Sequence, residues 1–192
     1  MIYTLGHSRH SIEKFIELAK GARVGLIVDI RSVPRSRFCP QFNRDALRAN
    51  LARAGVRYEY LGDHLGGRSN DPSVYKNGTI QYDLLAQTRE FAYGLSALKG
   101  LDEHSPGNSV AIMCSEADPI ACHRTLLVAR FGSAQGLEFS HVYPDGSITS
   151  QLEMENRILA LPYRPDVSHL PREQALPICY AKVSDRMAHR SK

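Results

Sequence analysis

The stretch from Val110 to Gly132, VAIMCSEADPIACHRTLLVARFG, ends an apolar run on Cys114 and then sets Cys122, His123 and Arg124 side by side. Asp118 followed by Pro119 is the pairing of a helix cap with a first helical residue, so a helix is expected to begin just before Cys122. The free N–H groups of that first turn, aided by the helix dipole, attract an anion. Cys114 would face this positive terminus with Arg124 or Arg31 nearby. Such surroundings draw a thiol from about 8.5 toward ~3.5–7.5 and make it a nucleophile. The same cysteine also reads as a small hydrophobe buried at a strand end. Glu116 and Asp29 are candidate general acids or bases if burial raises them, although Asp29 stands two residues from Arg31 and equally suits an ion pair. His123 could deprotonate or orient a neighbour, or bond a backbone carbonyl. Cys122 shares a helical face with Leu126 and Ala129 and reads as core.

A metal is the other chemistry these residue types allow, with Cys114, Cys122 and His123 as ligands and His7 or His64 as a fourth. Zinc sites usually pair cysteines two to four residues apart, and here seven residues intervene. No metal ligand is therefore assigned and no cofactor is expected. Anion binding is carried by RSVPRSRFCPQFN, where Arg31, Arg35 and Arg37 lie among Phe38 and Phe42. Guanidinium forks bind phosphate and aromatic faces stack on bases, so this loop suits a nucleotide or a nucleic-acid strand. HLGGR adds Arg68 on a flexible loop, and GHS after the first apolar segment adds Gly6, His7 and Ser8.

These residues need a scaffold that gathers them. IYTL, VGLIVDIRS, VRYEYL, SVAIMC and LEFSHVY read as strands; VGLIVDIRS is apolar on both faces, as in a central parallel strand. Between them SIEKFIELAKG, capped by Ser11 and stopped by Gly21, FNRDALRANLARAG, capped by Asn43, and YDLLAQTREFAYGLSALKG read as helices. A last helix is expected over TSQLEMENRILA. Alternating strands and helices predict an α/β fold, an open, mostly parallel sheet of about five strands with helices on both faces. Ligands of such sheets bind outside the carboxyl ends of the strands. The turns after the strands, at Gly6–Arg9, Asp29–Ser32, Asp63–His64 and Cys114–Glu116, should then share one rim.

The chain has 192 residues, 43% of them hydrophobic and 23% charged, which is the composition of one ordinary globular domain and of neither a disordered nor a membrane chain. No apolar run is long enough to span a bilayer and no signal-like N-terminus is present, so a cytoplasmic protein without a membrane partner is expected. Four cysteines at wide spacing are then free thiols. The net charge of +4 lies mostly in residues 161–192, where six Lys or Arg, Lys192 included, face three acids. LPYRPDVSHLPREQALP holds four prolines in seventeen residues, so an α/β domain over 1–160 is expected to carry an extended basic arm over 161–192. GDHLGGRSNDPSVYKNGTIQ reads as a functional lid or a partly disordered loop.

Taken together, TLGHS, IEKFIEL, LIVDIRSVPRSR with PQFN, LGGR and MCSEADPIACHR resemble the bacterial domain-of-unknown-function 488 family over roughly Ile2 to Val142. The resemblance implies a compact α/β domain with a shared rim, and no settled activity. Carried onto this chain, its signature falls on Gly6, His7, Ser8, Asp29, Arg31, Arg35, Arg37, Gly66, Gly67, Arg68, Cys114, Glu116, Pro119, Cys122, His123 and Arg124; Ile30 stands where valine is frequent. A fainter similarity is to rhodanese-like domains, whose catalytic cysteine and arginine close a much shorter loop than the nine residues between Cys114 and Arg124. The function expected first is an enzyme for a phosphate-bearing substrate, a nucleotide or nucleic acid, with Cys114 as nucleophile or Glu116 as acid/base and Arg31, Arg35, Arg37 and Arg124 as anion clamps. The alternatives are a non-catalytic nucleotide or nucleic-acid binding module and a metal-dependent hydrolase. The sequence gives no oligomeric state.

Overall fold

The computed structural model describes residues 1–105 and 109–190. β1 (Ile2–Gly6) leads into α1 (Ile12–Gly21), β2 (Val24–Asp29), α2 (Arg44–Arg53) and β3 (Arg57–Tyr60). There follow α3 (Gly62–Leu65), a small hairpin of β4 (Tyr75–Lys76) and β5 (Thr79–Ile80), α4 (Tyr82–Leu85), α5 (Arg89–Glu103) and β6 (Ser109–Cys114). A widely wound helical segment, Arg124–Ala129, runs into α6 (Arg130–Ser133), and β7 (Phe139–Val142), β8 (Ile148–Ser150), α7 (Gln151–Leu159) and α8 (Arg172–Met187) complete the chain.

Six strands form one sheet in the order β3-β2-β6-β1-β7-β8, parallel throughout except for β8. This is the α/β fold that strand and helix alternation predicts. The pleat sends Val110, Ile112 and Cys114 of β6 to one face, packed under α5, Leu126–Ala129, α7 and α8, and Ala111 and Met113 to the other, under α1 and α2. Register fixes the rim: Gly6 pairs with Cys114 and Asp29 with Met113, so the ends of β1, β2 and β6 lie side by side.

Local chemistry accounts for most boundaries. Ser11 accepts from Lys14 N and starts α1. Thr88 accepts from Phe91 N, so the single helix expected from Tyr82 divides into α4 and α5. Ser150 and Glu153 form a reciprocal capping box at α7, and β8 occupies the residues just ahead of it. Asn43 precedes α2 as expected, but its side chain accepts from Ser36 N instead of capping.

Two expectations give way. The segment read as a lid or a partly disordered loop carries α3, a short turn at Pro72–Val74 and the hairpin, because Leu65, Val74 and Ile80 are buried in the core. The tail expected as an extended arm carries the sixteen-residue α8, with Ala175, Cys179, Tyr180 and Val183 buried. Those four recur at helical spacing, a period masked by Pro171 and Pro177. Lys192, counted among the basic residues of the tail, lies outside the described residues. Among the described residues no helix is long and apolar enough to cross a membrane.

Candidate functional site

The site is built where β6 turns over the end of β1. His7 N donates to Cys114 O and Ser8 N to Ser115 O, which lays the 115–117 backbone across Gly6. A Cβ at Gly6 would overlap the Glu116 carbonyl oxygen, so only glycine admits this crossing. Asp118 accepts from Ile120 N and starts one tight turn, Pro119–Ala121. The chain then breaks: Cys122 is extended, with φ −138° and ψ 143°. Its carbonyl accepts from Thr125 and Leu126 N, and its Sγ accepts from Arg124 N at 3.4 Å, so Cys122 acts as a cap for the helix that follows. The helix therefore begins after Cys122, not before it as the Asp118–Pro119 pair suggests.

This break turns both sulfurs toward one imidazole. His123 Nε2 lies 3.0 Å from Ile30 O and donates to it, which leaves Nδ1 facing Cys114 Sγ at 3.5 Å and Cys122 Sγ at 3.9 Å. Cys114 Sγ donates to Glu116 Oε2 at 3.0 Å. Beneath them Arg124 is fully buried and donates to the carbonyls of Glu116 and Ala117, with no carboxylate partner among the described residues. Burial alone would push the Cys122 thiol up, but the neighbouring Cys114 thiol, the Arg124 charge and His123 hold it well below the usual thiol range. Burial, with the neighbouring Cys122 and Glu116, drives Cys114 the other way. Partial burial and the Cys122 charge raise Glu116. Burial would lower His123, but Cys122 and Glu116 reverse it and raise the ring.

A second network stands behind the first. Asp29, fully buried, takes Arg31 Nε at 2.9 Å and Nη2 at 2.6 Å, and its Oδ2 accepts from Tyr58 Oη at 2.9 Å. Arg31 also donates to Phe42 O, and its Nη1 lies 3.3 Å from His7 Nε2. His7 stacks on Phe42 at 4.3 Å and is lowered to about 4 by burial and then by Arg31. Asp29 is an ion-pair partner here, with both oxygens occupied.

Cys114, Cys122, His123, Ser115 and Glu116 line a cavity of about 280 Å³ together with Arg31, Ser32, Gly67, Arg68, Tyr82 and, from the tail, Met187 and His189. A larger cleft of about 700 Å³ shares Ser32, Val33, Arg68 and His189 with it and reaches Asp63 and His64. Of the arginines proposed as anion clamps, Arg68 is the exposed one that lines the cavity; Arg31 lines it while paired to Asp29. Arg124 points beneath the floor, and Arg35 and Arg37 stand on the exposed loop away from it, Arg37 over the Phe38 ring at 4.8 Å. Gly6, His7 and Ser8 form the wall behind the cluster instead of its lining. Sequence reasoning missed Tyr82, Met187 and His189, which only tertiary packing brings to the rim. Cys122, read as core, is buried in the core cluster and also faces His123.

These features define an α/β protein whose parallel-sheet edge carries a cysteine–histidine–glutamate cluster opening on a polar pocket. The chain belongs to the DUF488 family: the model described as "Domain of unknown function DUF488" matches residues 11–131. No curated protein matches it. Among solved structures it is similar to a "Putative phosphatase (DUF442)" from Shewanella putrefaciens CN-32, with 14% identity and a TM-score of 0.40 over 97% of this chain and 85% of that one.

Proposed function

We propose that the chain is an enzyme that hydrolyses a phosphate-bearing substrate in the cavity at the carboxyl edge of the sheet. One observation carries this reading: Cys114, Glu116, Cys122 and His123 open on the same cavity as the exposed Arg68. Arg68, with His189 beside it, holds the phosphate oxygens; a guanidinium fork suits that task. Glu116 stands at the mouth and serves as general base. A water oxygen bonds to phosphorus, the bond from phosphorus to the leaving oxygen breaks, and the proton taken by Glu116 passes to that leaving oxygen. The Asp29–Arg31–His7 network holds the wall in place, with Arg31 reaching the cavity lining.

Turnover of p-nitrophenyl phosphate and of bis-p-nitrophenyl phosphate by the reduced full chain tests the reading. Glu116→Gln is expected to lower kcat by about 10²–10⁴. Arg68→Ala is expected chiefly to raise KM. Absence of turnover together with absence of inorganic phosphate binding contradicts it. The phosphate-binding module read from Arg35 and Arg37 predicts instead that Arg35→Ala with Arg37→Ala abolishes binding while Arg68→Ala does not.

A further inference from the structure

We propose that Cys114, Cys122 and His123 together bind one thiophilic divalent cation, zinc in the first instance, with the remaining coordination position turned toward the cavity. The inference deepens the reading above and takes from it only that this cavity is the reaction site.

Geometry comes first. One ligand atom from each residue lies within 4.8 Å of the other two. The separations of Nδ1 from the two sulfurs, 3.5 and 3.9 Å, lie at or within about 0.4 Å of the ~3.5 Å nitrogen–sulfur edge of a tetrahedron with zinc–sulfur bonds of about 2.3 Å and zinc–nitrogen bonds of about 2.0 Å. Sulfur pairs with an imidazole select zinc over magnesium or calcium, which take oxygen.

The surroundings are those of a ligand set. Metal-bound histidines give their other ring N–H to a carbonyl or carboxylate, and His123 Nε2 gives its own to Ile30 O at 3.0 Å. A Cβ at Gly67 would stand 3.0 Å from His123 Cγ, so the ring is held from its other side as well. Arg124 N–H donates to Cys122 Sγ, and the Arg124 guanidinium is fully buried without a carboxylate among the described residues. Two thiolates and the Glu116 carboxylate balance this guanidinium and a divalent ion, so the loaded cluster is neutral. The seven residues between the cysteines do not oppose the site, because the tight turn at Pro119–Ala121 and the extended Cys122 fold the second sulfur back onto the first.

All three ligands line the cavity, so the site is open on one side, as catalytic zinc sites are and structural ones are not. Bound there, the ion would act as a Lewis acid on a phosphoryl oxygen or lower the pKa of a water beside Glu116.

The test is titration of the fully reduced, metal-free full chain with cobalt(II) chloride and then zinc chloride, followed by optical absorption and metal analysis. Expected are one equivalent of cobalt with sulfur-to-cobalt charge transfer and intense tetrahedral bands, displaced by zinc. Cys114→Ser and Cys122→Ser should each weaken uptake by more than about 100-fold, since loss of an outer hydrogen bond alone costs 10–100-fold. Cys39→Ser and Cys179→Ser, outside the cluster, should leave uptake unchanged. No stoichiometric uptake, or full uptake by either cluster variant, overturns the inference. If the cluster variants fail to fold, alkylation of the wild-type chain decides: zinc must protect Cys114 and Cys122 while Cys39 and Cys179 label at the same rate as without it, and equal labelling of all four overturns the inference. Uptake without any phosphate turnover or phosphate binding leaves the metal site standing and overturns the function above. Turnover by a chain that takes up no metal does the reverse.

Discussion

A buried histidine outside the site shows how this fold fixes protonation. His141, fully buried on β7, donates from Nε2 to Gln151 Oε1 at 2.8 Å, and its Nδ1 accepts from Thr4 Oγ1 at 3.0 Å. Burial lowers it to about 4, the Gln151 bond works against that, and the Arg124 charge adds to it more than Cys122 relieves it. The unfolded ring titrates near 6.5, so between pH 4 and 6.5 the unfolded chain binds a proton that the folded chain refuses. The stability this ring lends is whole above pH 6.5, falls as pH drops through the window and is gone below about 4. Its size is on the order of 3 kcal/mol. His7, also lowered to about 4, adds a parallel loss. Urea unfolding across this range should show a steep decline in the wild type and a shallower one in His141→Gln; identical slopes would contradict the assignment. The residue scale was also where the sequence spoke most unevenly. Cys114, Glu116 and His123 were legible from their place after an apolar run. The turn of the Cys122 sulfur onto His123 was not, because it depends on a backbone break at Cys122 that no residue type announces.

Among the elements, α8 separates what periodicity gives from what composition suggests. Proline lacks an amide hydrogen and usually ends helices, so four prolines in seventeen residues read as an arm. Yet α8 contains Pro177, and its buried stripe closes the core over α7; Tyr180 Oη accepts from Gln151 Nε2 at 2.8 Å. If the tail is packed in this way, Tyr180→Ala should destabilise the chain by about 3–5 kcal/mol, the range for large aromatic truncations in a core. Ile178→Ala, on the outer side and 42% exposed, should cost little. Equal small losses in urea denaturation would return the tail to an arm. The end of this helix brings Met187 to the cavity and the residues after it bring His189, so a segment that looked peripheral lines the pocket. By contrast α1 and α2 were readable to within a residue or two, since their apolar spacing and end signals agree with the packing.

For the molecule as a whole, the topology matters more than any single motif. β1, β2 and β6 are adjacent in space though far apart in sequence, so their turns, legible only as separate polar clusters, become one edge. That convergence was predictable from alternation of strands and helices, while the fate of the arginines was not. Five were candidates for anion binding, and packing directs Arg31 to Asp29 and Arg124 to the carbonyls of Glu116 and Ala117, leaving Arg35 and Arg37 on an outer loop. Arg68 alone of the five is exposed within the cavity. Crystals of the reduced protein soaked in tungstate, a heavy phosphate mimic, measure this most directly through anomalous diffraction. A tungstate ion is expected in the cavity between Arg68 and the Cys114–Cys122–His123 cluster, and an ion seated instead on the Arg35–Arg37 loop with the cavity vacant would contradict the assignment of Arg68 as the anion-binding residue.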